Sequence, residues 1–256
     1  MQKPGVSDHK RTVFITGAAA GLARGVAFAC AGAGYEVAFT FRPQGTTPKA
    51  TLDLLSAGGY SAHVFPVDFL ADEQATAITL RDIDAQICPD ILIHAVGPMR
   101  VATFQGSTMH DYHEMIDGNL RSAVQTAAAV LPGMRARGFG RLVFFGLNGS
   151  HRTQPARGLA LHAAAKAGLV AFARSLAMEE GAHGITVNVV EPGDIRQKYR
   201  SRVDARLVNA NNPVGRPGSW EDVADAVLFL VREDADFLTG AVLSVGGGLI
   251  DVYERT

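Results

Sequence analysis

The stretch TVFITGAAAGLARGVAF (residues 12–28) passes from an apolar, β-branched run into an alanine-rich segment through a turn that contains two glycines. The run has the composition of a buried strand and the segment that of a helix. Gly17 can make the sharp turn, and Gly21 lets backbone approach a pyrophosphate bound by the free N–H groups of the helix N-terminus. Ala23 stands where a third glycine often serves helix packing, a position that tolerates alanine. Because such turns are common, the dinucleotide site that they predict needs support from the rest of the chain.

The rest of the sequence repeats the alternation of a short apolar run and a longer alanine-rich segment. Several runs are apolar almost throughout, as expected for a parallel sheet covered by helices on both faces. We predict strands at residues 12–17, 36–41, 61–68, 91–97, 141–147, 185–193 and 241–248, and helices at 21–33, 47–57, 71–87, 107–137, 157–181 and 219–232. This order predicts one α/β domain over residues 1–256, a doubly wound Rossmann-type fold with a seven-stranded parallel sheet and a flexible tail at residues 1–10.

Composition narrows the class of function. The chain is 47% hydrophobic and 19% charged, and its formal net charge of -1 gives no general attraction to nucleic acid or to an anionic membrane. It has neither a signal-like start nor the roughly 18 consecutive apolar residues of a membrane span, which predicts a cytoplasmic protein. Cys30 and Cys88 have no partner at metal-ligand spacing, so we predict two buried, reduced thiols.

The end of the second predicted strand bears on the choice of cofactor. It reads EVAFTFRPQ (residues 36–44), with Phe41 where a carboxylate would bind a free ribose 2′-hydroxyl and with Arg42 next to it. A guanidinium without a carboxylate favours a 2′-phosphate, and hence NADP(H) over NAD(H). The alternative is an arginine that is simply exposed after a strand.

Residues 194–217 form the one long irregular stretch and follow the carboxyl end of a predicted strand, where open α/β sheets bind ligands. We predict a lid over the substrate. Across residues 194–207 the local charge is +3, from Arg196, Lys198, Arg200, Arg202 and Arg206 against Asp194 and Asp204. The charge fits either a solvated surface or attraction of an anionic substrate or carrier.

Together these features resemble the short-chain dehydrogenase/reductase family, most closely its 3-oxoacyl-carrier-protein-reductase-like members. The glycine motif is TGAAAGLA (16–23), the Asn-Asn-Ala-Gly motif is altered to HAVG (94–97), and ITVNVVEPGDI (185–195) and FLTGAVLSVGGG (237–248) match the nicotinamide side and the last strand. The resemblance implies that NADP(H) is bound by Thr16, Gly17, Gly21, Leu22, Arg42, Asp68, Ala95, Gly97, Lys166, Pro192, Gly193 and Ile195.

The resemblance also implies three catalytic residues. Asn119 in MIDGNLRSA matches the family's catalytic asparagine, and Lys166 in LALHAAAKAGLVAF (159–172) matches the lysine of its Tyr-x-x-x-Lys motif. The tyrosine position is His162 and the serine position is Leu147, with a longer interval between them than the family usually has. We therefore predict Asn119, His162 and Lys166 as catalytic, in an atypical site.

His162 and Lys166 are four residues apart, so a helix places them on one face. The lysine cation disfavours imidazolium, and an imidazole reaches less far than a phenol. His162 is therefore either the proton donor or a pocket residue without a role in proton transfer. Ser150, Thr153 and Tyr199 are alternatives for the missing hydroxyl groups.

The remaining histidines are predicted to have other roles. His94 and His151 are interpreted as structural or loop residues, and His110 and His113 lack a visible third ligand, so we predict no metal site.

The leading hypothesis is an NADP(H)-dependent oxidoreductase that reduces a carbonyl or activated double bond on a small or acyl-carrier-bound substrate. The alternatives are a catalytically silent NADP(H)-binding protein and a non-redox acid–base enzyme on the same fold. The resemblance further implies a homotetramer or homodimer. The alanine-rich helices suit close packing between subunits, and burial in the monomer's own core explains the alanines equally well. Charge and composition predict no nucleic-acid or membrane partner.

Overall fold

The structure, a computed structural model, describes residues 10–195 and 200–249. Seven strands form one sheet in the order β3-β2-β1-β4-β5-β6-β7, and every neighbouring pair is parallel. The strands are β1 (Thr12–Thr16), β2 (Glu36–Phe41), β3 (Ala62–Pro66), β4 (Ile91–His94), β5 (Gly140–Phe145), β6 (Ile185–Pro192) and β7 (Val242–Val245). The predicted doubly wound sheet is confirmed, and each predicted strand is present with somewhat shorter ends.

Helices cover both faces of the sheet. They are α1 (Gly21–Gly32), α2 (Lys49–Ala57), α3 (Glu73–Ile87), α4 (Met109–Ile116), α5 (Ser122–Arg137), α6 (Ala160–Glu180), α7 (Arg202–Ala205) and α8 (Trp220–Val231). On one face α3, α5 and α6 pack over Phe14, Leu142 and Val187. On the other, α1, α2 and α8 pack over Ile15 and Val143. No helix within the described ranges is long and apolar enough to cross a membrane.

The chain changes direction across the sheet between β1 and β4. Strands β1, β2 and β3 run outward on one side, and β4 then pairs with the other edge of β1, so that Thr16 lies beside His94. Helices leave the carboxyl ends of these two strands toward opposite faces, which opens a crevice there. This crevice is where the fold places a ligand.

Three predictions on local structure were wrong. The helix predicted over residues 107–137 contains a π-helical turn at Asp117–Arg121 between α4 and α5. Cys88 is exposed and ends α3 in the left-handed conformation, because the chain must turn there into buried Pro89 and β4. The stretch at 194–217 is not wholly irregular, since it contains the one-turn helix α7. Cys30 is buried as predicted, and burial raises the pKa of its thiol to about 12.

Helices α1 and α8 approach each other through a glycine that the motif analysis did not weigh. A Cβ on Gly25 would lie 2.6 Å from the Trp220 ring. Trp220 opens α8, after a capping box in which Ser219 and Asp222 bind each other's backbone N–H groups. The close contact between α1 and α8 therefore requires a glycine at position 25, one turn after Gly21. The side chain of Ala23, by contrast, is buried and accommodated.

We predict that Gly25→Ala destabilises the protein by about 1–3 kcal/mol, because the methyl group has no space against the Trp220 ring. Ordinarily a glycine-to-alanine change inside a helix stabilises by about 0.5–1 kcal/mol. Gly32→Ala in the same helix is the matched control, since its nearest contact would be an ordinary 3.6 Å to the Tyr60 hydroxyl oxygen. Urea unfolding of both variants tests this, and equal effects would contradict it.

Candidate active site

The turn after β1 has the geometry expected of a pyrophosphate-binding loop. Gly17 and Gly21 have φ values of 73° and 65°, which non-glycine residues rarely adopt. A Cβ on Gly17 would also come within 2.9 Å of Val96 Cγ2, so the turn sits tightly against the segment after β4. The Gly17 N–H donates to Thr40 Oγ1 at 3.0 Å. The N-terminus of α1, which begins with Gly21 and Leu22, thus faces the crevice with its free N–H groups.

A chain of hydrogen bonds joins this turn to the crevice. Thr16 Oγ1 accepts the amides of residues 95 and 96 at 3.0 and 3.2 Å and lies 3.1 Å from His94 Nδ1. His94 Nε2 lies 3.0 Å from Ser122 Oγ, which donates to the Gly118 carbonyl at 2.8 Å. Since the Ser122 hydrogen is already used, His94 must donate from Nε2 and accept at Nδ1. The tautomer of His94 is fixed by its neighbours.

His94 is a buried, neutral histidine whose two ring nitrogens bind neighbouring side chains, which agrees with its predicted structural role. It is 1% exposed. Burial, with the cation of Lys166 as a smaller cause, lowers its pKa to about 3. It therefore transfers no proton near neutral pH.

Asn119 and Lys166 meet beside Gly97. A Cβ on Gly97 would lie 2.6 Å from Asn119 Oδ1 and 3.0 Å from Lys166 Nζ, so only glycine allows both groups to reach this point. Asn119 Nδ2 donates to the carbonyls of Pro98 and Met115, each at 2.9 Å. Its Oδ1 is buried and has no hydrogen-bond partner among the described residues. Lys166 Nζ donates to the Phe145 carbonyl at 2.6 Å.

The orientation of Asn119 follows from the π-helical turn. The turn spans residues 117–121 and lies where α4 continues into α5. Because a π turn places one extra residue in the helix, it changes which side chains face the crevice. A buried carbonyl oxygen without a partner normally binds water or a ligand. Asn119 is thus suited to hold a water beside Lys166.

His162 lies in the same region and is 5% exposed. Its Nδ1 lies 3.1 Å from the Pro98 carbonyl, which can only accept, so Nδ1 carries a hydrogen. In the neutral imidazole Nε2 then has a lone pair and no hydrogen. His162 can consequently give a hydrogen bond or a proton from Nε2 only as imidazolium.

The loop after β5 does not supply a replacement hydroxyl. Leu147 occupies the serine position, Ser150 Oγ donates to Glu191 Oε1 at 2.6 Å, and Thr153 Oγ1 donates to the Arg152 carbonyl at 2.7 Å. A hydroxyl has a single hydrogen, so neither Ser150 nor Thr153 retains one for a substrate oxygen. The third candidate, Tyr199, lies outside the described residues.

Arg42 and Asp68 stand together where the adenosine end of the cofactor is expected. Arg42 Nε and Asp68 Oδ2 are 3.3 Å apart, and the side chains are 52% and 20% exposed. Asp68 Oδ1 also accepts the Leu70 N–H at 3.0 Å. An ion pair this exposed contributes little free energy, so Arg42 can turn toward a phosphate at small cost.

The end of β6 brings the last predicted cofactor residues to the same edge of the sheet. Pro192 ends the strand, and Gly193 donates to the Val245 carbonyl at 3.0 Å. A Cβ on Gly193 would come within 2.5 Å of Gly246 Cα. Ile195 follows directly and touches Gly218 at the base of the lid.

The described part of the segment predicted as a lid contacts α8. Asp222 accepts from Arg216 Nη1 and Nη2 at 2.8 and 3.0 Å and from Arg202 Nε at 3.0 Å, while it also caps α8. Burial alone would raise the pKa of Asp222, but the bonds from Arg216 and Ser219 outweigh burial and hold that pKa well below its usual range. Arg202 is therefore neutralised by α8, contrary to the idea that it attracts an anion.

Other predicted features play no visible part in the crevice. Arg196 and Lys198 lie outside the described residues. His113 Nδ1 is 3.9 Å from Asp117, and over residues 10–195 and 200–249 no group of three His, Cys, Asp or Glu side chains could hold a metal. Glu191 was missed, although a lone charge in the apolar run ITVNVVEPG was a signal.

Comparison with known proteins identifies this arrangement. A family profile described as Enoyl-(Acyl carrier protein) reductase matches residues 17–250. An acetoacetyl-CoA reductase of Rhizobium meliloti (strain 1021) is 32% identical to this chain over 243 residues. The aligned region covers 93% of this chain and 98% of that reductase. The chain belongs to the short-chain dehydrogenase/reductase family.

Two further members of the short-chain dehydrogenase/reductase family extend the comparison. The 3-oxoacyl-[acyl-carrier-protein] reductase FabG of Escherichia coli (strain K12) is also 32% identical, over 93% of this chain and 97% of FabG. A solved structure of a blue fluorescent protein from a metagenomic library, in complex with NADPH, has a TM-score of 0.80 and 28% identity, over 93% of this chain and 97% of that one. The short-chain dehydrogenase/reductase fold is therefore present along nearly the whole chain, and the resemblance drawn from its motifs is confirmed.

The buried His94 gives a stability prediction. Its pKa is about 6.5 when unfolded and about 3 when folded, so between these values the unfolded chain binds more protons. Stability is consequently lost as pH falls through this window, by up to about 1.4 kcal/mol per pH unit from this residue. His94→Asn, which cannot titrate, should lose stability less steeply. Denaturant unfolding of both proteins between pH 7 and 4 measures the difference, and parallel curves would refute it.

Proposed function

We propose that this protein is an NADP(H)-dependent oxidoreductase that reduces a carbonyl or an activated double bond on a small or acyl-carrier-bound substrate. One observation carries the proposal: the glycine turn, Lys166 Nζ and Asn119 Oδ1, which has no hydrogen-bond partner among the described residues, all converge on the crevice between β1 and β4. The names of the relatives, reductases of acetoacetyl-CoA and of 3-oxoacyl-carrier protein, point to the same substrate class.

The residues present fit a nicotinamide dinucleotide. Gly17 and Gly21 with the start of α1 would hold the pyrophosphate, Asp68 the adenine end, and Lys166 the nicotinamide ribose. Ala95 and Gly97 would line its path, with Pro192, Gly193 and Ile195 on the nicotinamide side. When bound, NADPH supplies a hydride to the substrate carbon.

The protein's own groups would supply the proton. His162 delivers it from Nε2 as imidazolium, since its Nδ1–H is held by the Pro98 carbonyl. Asn119 would hold a water beside Lys166, since its buried Oδ1 has no hydrogen-bond partner among the described residues. No other described hydroxyl on the loop after β5 competes for the role, because the hydrogens of Ser150 and Thr153 are engaged.

The same engaged hydroxyls support a second candidate, a catalytically silent NADP(H)-binding protein. Such a protein keeps the glycine turn but has lost the polar groups that hold a substrate oxygen. The two candidates differ in turnover and not in cofactor binding. NADPH binding by calorimetry, followed by NADPH oxidation with a ketone, an enone and an acyl thioester, separates them. Binding without turnover from pH 5 to 8 would refute the oxidoreductase, and absence of binding would refute both.

Assembly into a homotetramer or homodimer is part of the proposal. We expect α4 and α5 to lie at the interface, and large apolar side chains are exposed on both. Met109 is 65% exposed, Tyr112 39% and Val124 40%. A helix pair from a second copy would cover them.

Arg42→Ala should weaken NADPH binding by about 10- to 100-fold, because one or two charge-assisted hydrogen bonds to the 2′-phosphate are lost. NADH binding should be unchanged, which makes NADH the internal control. Calorimetric titration of both cofactors into both proteins provides the measurement. An equal loss for NADH would place Arg42 elsewhere than at the 2′-phosphate.

If His162 is the acid, reductive kcat should decrease as pH rises, since only imidazolium can donate from Nε2. His162→Phe should lower kcat by about 10²- to 10⁴-fold and remove this pH dependence. His162→Tyr should retain carbonyl reduction with a flat profile over the same range, because a phenol keeps its proton up to about pH 10. An unchanged profile in His162→Phe would exclude the role.

A further inference from the structure

Glu191 is a carboxylate that none of the roles above uses. It stands in β6 directly before Pro192 and is 0% exposed. Its Oε1 accepts from Ser150 Oγ at 2.6 Å and from the His151 amide at 2.9 Å. Its Oε2 accepts from the Gly149 amide at 2.9 Å and from His151 Nδ1 at 2.8 Å. Four donors from three consecutive residues therefore surround one buried carboxylate.

The loop that supplies these donors is shaped by them. Gly149 takes the left-handed conformation with φ 83°, so that successive N–H groups point inward at the same acceptor. The Leu147 amide bonds back to Ser150 Oγ at 3.3 Å, which ties the residue at the serine position to the same cluster. A buried carboxylate is costly unless it is hydrogen-bonded, so the loop and Glu191 stabilise each other.

The same loop forms a wall of a cavity of about 470 Å³. Leu147 and Ser150 line it from the loop, and Ala160, Ala163 and Ala167 line it from α6, the helix that carries His162 and Lys166. These alanines lie on the side of α6 away from His162 and Lys166, so the cavity adjoins the outer face of the helix. The loop meets the candidate active site at its other end, where Lys166 Nζ donates to the carbonyl of Phe145, two residues before Leu147.

We propose that Glu191 is a positioning residue for the substrate: through Ser150 and His151 it holds the loop at residues 147–153, and with it Leu147 at the serine position, beside the carbonyl that binds Lys166. This inference rests on the proposed reductase function. It assigns the fixed loop, in place of the missing serine hydroxyl, to the task of orienting the substrate, while the pyrophosphate and adenosine ends of the cofactor are held elsewhere, by the glycine turn, Arg42 and Asp68.

Glu191→Gln tests the role with little change in size. An amide nitrogen cannot accept, so two of the four donors lose their acceptor. We expect kcat/KM for the carbonyl substrate to fall about 10- to 100-fold, chiefly through KM, because small misplacement of a substrate has effects of this size. The NADPH dissociation constant should stay unchanged. The Gly149 and His151 amides should exchange with deuterium faster than in the wild type.

Glu180→Gln is the matched control. Glu180 is also 0% exposed and hydrogen-bonded, but to Arg135 at the far end of α6. This variant should lose stability while kcat/KM stays as in the wild type. If both variants change kcat/KM equally, Glu191 acts only on stability and the proposal is overturned.

His151 provides a second test should Glu191→Gln fail to fold. His151→Asn retains an N–H donor near the position of Nδ1 and should keep the wild-type KM, whereas His151→Leu should reproduce the defect of Glu191→Gln. Equal KM values for the two His151 variants would overturn the proposal. A wild-type protein that binds NADPH and reduces no substrate would refute the proposed function instead, and the exchange of the two amides would still report whether Glu191 holds the loop.

Discussion

The pairing of β1 with β4 is the constraint on which the rest of the structure depends. It brings Thr16 beside His94, and the threonine hydroxyl then holds the amides of residues 95 and 96. Through His94 and Ser122 the same bonds reach the π-helical turn that bears Asn119. The cofactor turn, the segment after β4 and the asparagine are thus fixed relative to one another by uncharged groups that do not titrate near neutral pH.

Apart from Lys166, the charged side chains described above lie outside that junction. Arg42 and Asp68 pair in the exposed rim, Arg202 and Arg216 are bound by Asp222 at the lid, and Glu191 is enclosed by the loop after β5. Each of these sites surrounds the crevice at the carboxyl edge of the sheet.

Much of the fold could be predicted from the sequence because its signals are local. A buried parallel strand and the turn at Gly17 leave a pattern in consecutive residues, and each predicted strand was found. The π turn and the exposure of Cys88 depend on tertiary packing and leave no such pattern. The same distinction holds in the candidate site. Asn119 and Lys166 lie within motifs and could be proposed from the sequence, whereas the tautomers of His94 and His162 depend on carbonyl and hydroxyl groups far away in sequence. Glu191 lay between these cases, since its lone charge was visible but its four donors were not.

The carboxylate of Asp222 has two structural roles. It caps the first turn of α8 and also accepts hydrogen bonds from Arg202 and Arg216, which precede that helix in the chain. Loss of that one carboxylate would remove the cap of α8 and the acceptor of both arginines at the same time. The N-terminus of α8 and the segment before it are therefore stabilised together by a single side chain.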